Sequence, residues 1–154
     1  MISQTAEYAL RAVVFLGENP ATAHTTRAIA LATGVKSPYL SKVLQGLSRA
    51  GLVTSQRGLG GGFTLARKPT ELNLFDVLQA VDPPQRVHAC PLKLKAHAVH
   101  LCPLHRRLDE AMARVEQSFR DTRLSDLLAE TAAERMDASQ QKGRGGEEEN
   151  TEKH

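Results

Sequence analysis

The sequence predicts a mainly α-helical fold with a small β-wing, in which a winged helix-turn-helix domain precedes a long helix. Three observations support this fold class: apolar residues recur at helical spacing, a glycine turn separates two short helices, and a glycine-rich hairpin follows them. A chain of 154 residues can form one domain with an appendage, but hardly two large domains. We expect the winged domain, with a helix packed on it, to span residues 1–82.

Basic charge is concentrated in the first half of the chain. Residues 1–68 hold eight Lys and Arg against two acidic residues, whereas residues 69–154 hold twelve against fifteen. This asymmetry favours a polyanionic partner such as nucleic acid. No apolar run approaches the roughly 20 residues that are needed to cross a bilayer, and the N-terminus lacks a signal-peptide pattern. We therefore expect a cytoplasmic protein without a membrane partner.

The first two helices are predicted from apolar spacing and from the residues at their ends. Apolar residues between positions 6 and 16 recur at helical spacing, and Ser3 before them is a suitable N-cap. A shorter second helix begins at Thr25 or Thr26, either of which can cap it. Gly34 ends this helix, because glycine adopts the left-handed conformation without a steric penalty.

The third helix has the most informative pattern. Ser37 is the expected N-cap and Pro38 the expected first helical residue, because a proline loses no hydrogen bond there. One apolar stripe predicts the buried face, and its members are Leu40, Val43, Leu44 and Leu47. The opposite face is polar and basic, as in a recognition helix that enters the DNA major groove. An αα-hairpin inside another helical domain is the alternative interpretation.

A hairpin after the third helix weighs against that alternative. Residues 51–55 and 63–66 are predicted strands, and the glycine-rich turn between them carries Arg57. Glycine lets the backbone lie close to a phosphate chain, and Arg57 can reach phosphates or a narrow minor groove. A nucleotide-binding loop is excluded, because a strand follows the glycines and no Gly-Lys-Ser/Thr sequence is present.

The second half of the chain predicts a sensor loop and a helical dimerisation region. A helix within residues 72–81 is capped by Asn73, and prolines stop it. Residues 83–102 form a loop that holds both cysteines, and residues 103–130 form a long helix followed by a short one. The apolar stripe of the long helix predicts pairing with a second copy; it consists of Leu104, Leu108, Met112, Val115 and Phe119. Residues 131–154 are expected to be disordered.

Several of these segments together resemble the Rrf-type, IscR- and NsrR-like winged-helix regulators. The resemblance covers residues 1–128. The motifs that carry it are Glu7-Tyr8-Ala9-Leu10-Arg11, Ser37-Pro38-Tyr39-Leu40-Ser41-Lys42-Val43-Leu44, Gly51-Leu52-Val53, Arg57-Gly58, Gly60-Gly61-Gly62-Phe63 and Leu101-Cys102-Pro103-Leu104-His105. It implies a homodimeric transcriptional regulator, by default a repressor, on pseudo-palindromic double-stranded DNA. By position, the implied DNA contacts are Lys36, Ser37, Tyr39, Ser41, Lys42 and Arg57.

The resemblance also implies a cluster or redox sensor, although the cysteines depart from the family pattern. Cluster-binding members usually carry three cysteines in this loop, whereas this chain has Cys90 and Cys102, followed by His105. A [2Fe–2S] cluster needs four ligands, and imidazoles can replace two thiolates. The implied ligands are therefore Cys90, Cys102 and His105, completed by His97 or by Glu7 of the partner subunit.

Three other interpretations use the same cysteines. They could form a reversible disulfide or sulfenate in a cluster-free regulator, or they could hold structural zinc together with two histidines. They could also be structural, with a small molecule bound in the dimer interface as the signal. An enzyme that uses a Cys–His pair is not expected, because the sequence offers no buried sheet to support it.

Overall fold

The computed structural model describes residues 2–91 and 100–145, which form six α-helices and one two-stranded sheet. The first three helices are α1 (Gln4–Glu18), α2 (Thr26–Thr33) and α3 (Ser37–Arg49). Strands β1 (Val53–Gln56) and β2 (Gly62–Leu65) follow, and then α4 (Leu74–Val81), α5 (Pro103–Asp121) and α6 (Leu124–Gly145). The predicted fold class, mainly helical with a small β-wing, is confirmed. Across the described ranges, we find no helix that combines the length and apolarity of a membrane span.

Four residues set helix ends as the sequence predicts. The side chains of Ser3 and Thr25 each accept a hydrogen bond from the backbone N–H three residues on, and so cap α1 and α2. Asn73 caps α4 in the same way. Gly34 ends α2 with a left-handed φ of 71°. These ends depend on local chemistry alone, which is why they can be predicted.

The start of α3 differs from the prediction by one residue. Lys36, rather than Ser37, is the N-cap, so Ser37 and Pro38 occupy the first two helical positions. The backbone carbonyl of Lys36 accepts hydrogen bonds from the N–H groups of Tyr39 and Leu40. Proline fits the second position as well as the first, because the N–H groups of the first turn have no intrahelical partner.

One hydrophobic core unites the first four helices and the wing. The predicted apolar stripe of α3 is buried at every position: Leu40, Val43, Leu44 and Leu47. It packs against α1 and α2, where Leu16 and Ile29 are fully buried. Leu72 and Leu124 belong to the same core, so the start of α6 packs back onto the N-terminal half. Apolar burial of this extent is the main force that stabilises a small domain.

The wing is the predicted hairpin with slightly shifted strands. The sequence predicts strands over residues 51–55 and 63–66, whereas the antiparallel pairing joins Val53 to Leu65 and ends where Gln56 lies opposite Gly62. The shift is small because only the turn chemistry, and not the exact register, can be seen in the sequence.

The wing is attached to the segment before α2. The backbone N–H of His24 donates to the carbonyl of Phe63 at 3.0 Å, and Phe63 donates back to His24 at 2.8 Å. Gly62 makes this approach possible, because a Cβ at this position would lie 2.4 Å from the carbonyl oxygen of His24. Its φ of 147° also favours glycine. The hairpin is therefore held beside the helix-turn-helix.

The last two helices differ in their packing from the rest of the chain. None of the residues of α5 is buried. The sequence predicts disorder over residues 131–154, but α6 continues to Gly145, and residues 146–154 lie outside the described part of the chain. The extension of α6 has a physical reason: Ala, Glu, Arg and Met are strong helix formers, and Arg135 forms an ion pair with Glu18 of α1 at 3.0 Å.

Candidate nucleic-acid interface and thiol site

The start of α3 presents most of the predicted DNA contacts to solvent. Lys36, Ser37 and Lys42 are exposed, and 60% of the surface of Tyr39 is accessible. Ser41 is half-buried. The buried stripe on the opposite face orients these side chains, since a helix that buries one face must present the other. The structure therefore brings the five predicted residues of this segment together at one end of α3.

Two further residues extend this outer face and were not included among the predicted contacts. Gln45 and Arg49 are exposed, and they follow Lys42 at positions i+3 and i+7. The spacing that identifies the buried stripe also places these two side chains on the outer face. The sequence therefore contained the signal for them.

The turn of the wing carries the sixth predicted contact, Arg57. This residue follows β1 directly and is exposed. Neither Arg57 nor Lys42 takes part in an ion pair among the described residues. Leu59 at the tip of the turn is also fully exposed. The cationic groups of α3 and of the wing are thus available to an anionic partner.

The second site joins three residues that the sequence predicts as ligands. The sulfur of Cys102 lies 3.0 Å from Nδ1 of His105, and the sulfur of Cys90 lies 3.6 Å from the same nitrogen. The three candidate ligand atoms all lie within 4.8 Å of one another. Both cysteines are buried thiols. The loop before α5 and the first turn of α5 therefore form one compact Cys–Cys–His group.

The start of α5 fixes two members of this group. Cys102 is the N-cap of α5, Pro103 is its first residue, and His105 follows within the first turn. The carbonyl of Cys102 accepts a hydrogen bond from the N–H of Arg106 at 2.9 Å. Residues three apart on a helix face the same side, so the thiol and the imidazole meet without any loop rearrangement.

An ion-pair cluster holds the segment before Cys90 against α5. The guanidinium of Arg86 donates two hydrogen bonds to Asp109, each 2.6 Å long, and a third, of 3.4 Å, to Glu116. The backbone N–H of Val87 also donates to Asp109 at 3.0 Å. We call this cluster of Arg86, Asp109 and Glu116 the clasp. It fixes the approach to Cys90 on the helix that carries His105.

The clasp shifts the pKa values of Asp109 and Arg86. The hydrogen bonds from Arg86, followed by that from Val87 and the charge of Arg86, hold the pKa of Asp109 at about 2, below its ordinary value of 3.8. The hydrogen bond to Asp109, with the charges of Asp109 and Glu116, raises the pKa of Arg86. Both groups are therefore charged at neutral pH, and the clasp is an ion pair under physiological conditions.

The other two predicted ligands, Glu7 of the partner subunit and His97, are not tested by the described residues of one chain. Glu7 forms an ion pair with Arg11 one turn on in α1, and it is not one of the three residues that meet at the thiol site. His97 lies outside the described residues. Within the described ranges the group therefore supplies three ligands of one chain.

The donor set fits soft or borderline metal chemistry. Thiolate sulfur and imidazole nitrogen are the ligands of zinc and of iron–sulfur clusters, whose metal–ligand bonds are roughly 2.0–2.3 Å for zinc. Ligand atoms 3.0 to 3.6 Å apart can therefore share one metal ion. A [2Fe–2S] cluster needs one more ligand than the three described. Oxidation of the two thiols is the chemistry that remains without a metal.

The sequence matches a family model of transcriptional regulators over most of its length. A family model described as "Rrf2: Iron-dependent Transcriptional regulator" matches residues 2–130. The chain is 30% identical over 129 residues to protein aau3 of Rhizobium meliloti, a match that covers 82% of this chain and 84% of that protein.

Two solved structures show the same fold at lower identity. IscR of T. potens has a TM-score of 0.70 at 22% identity, and the match covers 85% of this chain and 88% of that one. CymR, the global cysteine regulator of B. subtilis, has a TM-score of 0.69 at 23% identity, with 84% and 96% covered. At such identities the likeness establishes the winged-helix architecture and leaves the chemistry of the thiol site to its own residues.

Proposed function

Because this chain belongs to the Rrf2 family of DNA-binding transcriptional regulators, which are not enzymes, we propose that its Cys–Cys–His group is the sensor that controls DNA binding. The observation that carries this proposal is the convergence of Cys90, Cys102 and His105 within 4.8 Å. Buried thiols beside an imidazole, at the junction of a loop and a helix, can change their ligation or oxidation state and move that junction with them.

The DNA interface that we propose consists of the start of α3 and the tip of the wing. Lys36, Ser37, Tyr39, Ser41 and Lys42 would lie at or in the major groove, as the N-terminal residues of a recognition helix do. Arg57 would contact phosphates or the minor groove beside it. The exposure of the cationic residues and the attachment of the wing to the helix-turn-helix support this arrangement.

We further propose that the regulator is a homodimer that pairs through α5. Three large apolar residues of this helix remain open to solvent in the single chain: Leu104 at 63%, Leu108 at 47% and Val115 at 49% exposure. A second copy would cover this stripe in an interface where each chain contributes the same surface. Such a dimer would place two α3 helices on the halves of a pseudo-palindromic operator. Binding there would by default repress transcription, and we expect the regulator to act in the cytoplasm.

For the sensor we propose a [2Fe–2S] cluster with Cys90, Cys102 and His105 as ligands. The fourth ligand would be His97 or Glu7 of the partner subunit. A bound cluster would supply a coloured, redox-active group, and its loss would leave two thiols able to form a disulfide. Thiol oxidation without a cluster, in which the same two sulfurs respond directly, is the other form of this sensor.

The visible absorption spectrum of anaerobically purified protein tests the sensor. We expect a coloured protein whose absorption disappears in Cys102→Ser and persists in the matched control His100→Gln, a nearby exposed histidine outside the group. Gel shifts with a DNA duplex selected from a random library should then show affinities that differ between the cluster-loaded and cluster-free states. A colourless protein that binds the duplex and responds to disulfide-forming oxidants would assign control to the thiols.

A second candidate function has one observation in its favour. An apolar groove of about 410 Å³ lies between α1, α4 and α5, and its lining includes Ile2, Leu78 and Met112. A small apolar ligand bound there could control a cluster-free regulator whose cysteines are structural. A Cys90→Ser/Cys102→Ser double variant that kept wild-type DNA affinity and response would favour this function over the thiol sensor.

A further inference from the structure

A second groove runs along the flank of α3. It has a volume of about 420 Å³ and lies between the start of α1, the end of α4 and the side of α3. Lys42 and Arg49 line it together with the phenolic side chains of Tyr8 and Tyr39. Its lining contains no acidic residue. The groove is therefore positive and rich in hydrogen-bond donors.

The charges of the two cations are not neutralised by any of the described residues. Among the described residues, no ion pair includes Lys42 or Arg49. They are seven positions apart, which on an α-helix is about 10 Å of rise and close to two full turns. They therefore stand above one another on the same side of α3 and face the same volume.

The floor of the groove is formed by closely packed backbone. Gly46 lies between the two cations, and a Cβ at this position would meet the side chain of Val81 at 3.3 Å and the carbonyl of Ala80 at 3.4 Å. The end of α4 therefore packs directly on α3 below the charges. The groove cannot deepen into the core, and it opens to the surface that carries Lys42.

We propose that this groove holds a backbone phosphate of the operator DNA, with Arg49, an outer-face residue of α3 that is not among the predicted DNA contacts, as a positioning residue. The inference rests on the proposed DNA interface. Recognition helices contact bases mainly with their N-terminal residues, whereas Arg49 is in the last turn of α3. A cation in the last turn of α3, on the flank of the helix and not at its N-terminal tip, meets the sugar–phosphate backbone. Lys42 would link the phosphate contact to the base-facing start of the helix.

A salt titration of DNA binding tests this inference. The full chain is used with the duplex that the wild type selects from a random library. Affinity falls as salt rises, and each phosphate contact that is lost makes the slope of log affinity against log salt shallower by about 0.9. We therefore expect Arg49→Gln to reduce the slope by about 0.9 for each protomer bound. Arg49→Lys should keep the slope, and operator preference over single-base variants should not change.

The matched control is Arg114→Gln, which removes the same charge from the exposed surface of α5. An Arg49→Gln slope equal to that of Arg114→Gln would overturn the inference, as would a changed base preference, which would make Arg49 a base contact. Inorganic phosphate at constant ionic strength could also raise the Tm of the wild type but not that of Arg49→Gln. If Arg49→Gln then left the salt slope of DNA binding unchanged, the inference would likewise be overturned. If the wild type selects no duplex, the proposed DNA interface fails instead.

Discussion

The winged domain and α5 are stabilised in opposite ways. In the winged domain the apolar side chains of α1 to α4 are buried in a continuous core. In α5 no residue is fully buried, and three of its large apolar side chains, those of Leu104, Leu108 and Val115, are exposed. The single chain fastens α5 instead through polar contacts, chiefly the clasp and the guanidinium of Arg120, which stacks 3.5 Å from the centre of the Phe75 ring.

This difference distinguishes the rigid winged domain from α5, which can move more easily. A packed core deforms little, so the recognition helix and the wing keep their geometry. Elements with few buried apolar contacts have low local stability and are the ones that move in regulation. The thiol site lies at the start of α5, where the weakly packed helix meets the loop. A change in ligation there, as we propose for the sensor, would act on a helix that has little apolar packing to resist it.

Substitution of one leucine in each region should give the largest difference between the winged domain and α5. Leu44 is fully buried, so Leu44→Ala should lower the free energy of unfolding by about 2–5 kcal/mol. Leu108 is 47% exposed, so Leu108→Asp should leave the fold intact and prevent formation of the proposed dimer. Urea denaturation and sedimentation at fixed protein concentration measure the two effects.

A control on the opposite side of α5 makes this comparison specific. Gln117→Glu also adds a negative charge, but at an exposed position away from the apolar stripe. It should leave the oligomeric state unchanged. A Leu108→Asp protein that sediments as the wild type does would show that the stripe is not the dimer interface.

Breaking the clasp should change the thiol site without unfolding the winged domain. In Arg86→Gln the segment before Cys90 loses the guanidinium contacts to Asp109 and Glu116 and keeps only the backbone hydrogen bond of Val87, so Cys90 should react several-fold faster with an alkylating reagent. The control is Arg107→Gln, which removes an exposed pair with Glu110 on the surface of α5. Peptide mass spectrometry gives the rate for each cysteine. Equal rates in Arg86→Gln and wild type would mean that the clasp does not position Cys90.

Acid should weaken the same clasp in a defined range. The folded protein holds the pKa of Asp109 at about 2, below the ordinary value of 3.8, so the contribution of the clasp to stability is complete above the ordinary value. It is lost as the pH falls from that value towards the folded pKa. In acid denaturation, the free energies of unfolding of wild type and Arg86→Gln should converge at the low end of this range.

The two regions also differ in how much of them the sequence predicts. Local signals fixed the winged domain: the stripe of α3, the caps Ser3, Thr25 and Asn73, and the glycine turns all depend on residues near one another in the chain. The errors there are small, such as the N-cap at Lys36. The same periodicity places Arg49 on the exposed face of α3, where the structure has it, although Arg49 is not among the predicted DNA contacts.

The thiol site and the clasp were less accessible to sequence reasoning. The resemblance to the Rrf-type regulators implied Cys102 and His105 as ligands, and a spacing of three residues at the start of a helix is what places them together. The approach of Cys90 depends on contacts across a loop, and Arg86 and Asp109 are 23 residues apart. A long-range ion pair leaves no periodic signal. The fourth ligand depends on His97 or on a second subunit, and neither follows from the geometry of one described chain.

The smallest expected effect concerns the contact that fastens the far end of α5. Arg120 places its guanidinium over the ring of Phe75 on α4, and a cation–π contact at an exposed site is worth about 0.5–1 kcal/mol. Arg120→Gln should therefore lower the free energy of unfolding by that amount, measured by urea denaturation with an unchanged slope. Arg123→Gln, an exposed neighbour, is the control. A loss as large as that of Leu44→Ala would mean that α5 belongs to the folding core and would remove the distinction between the two regions.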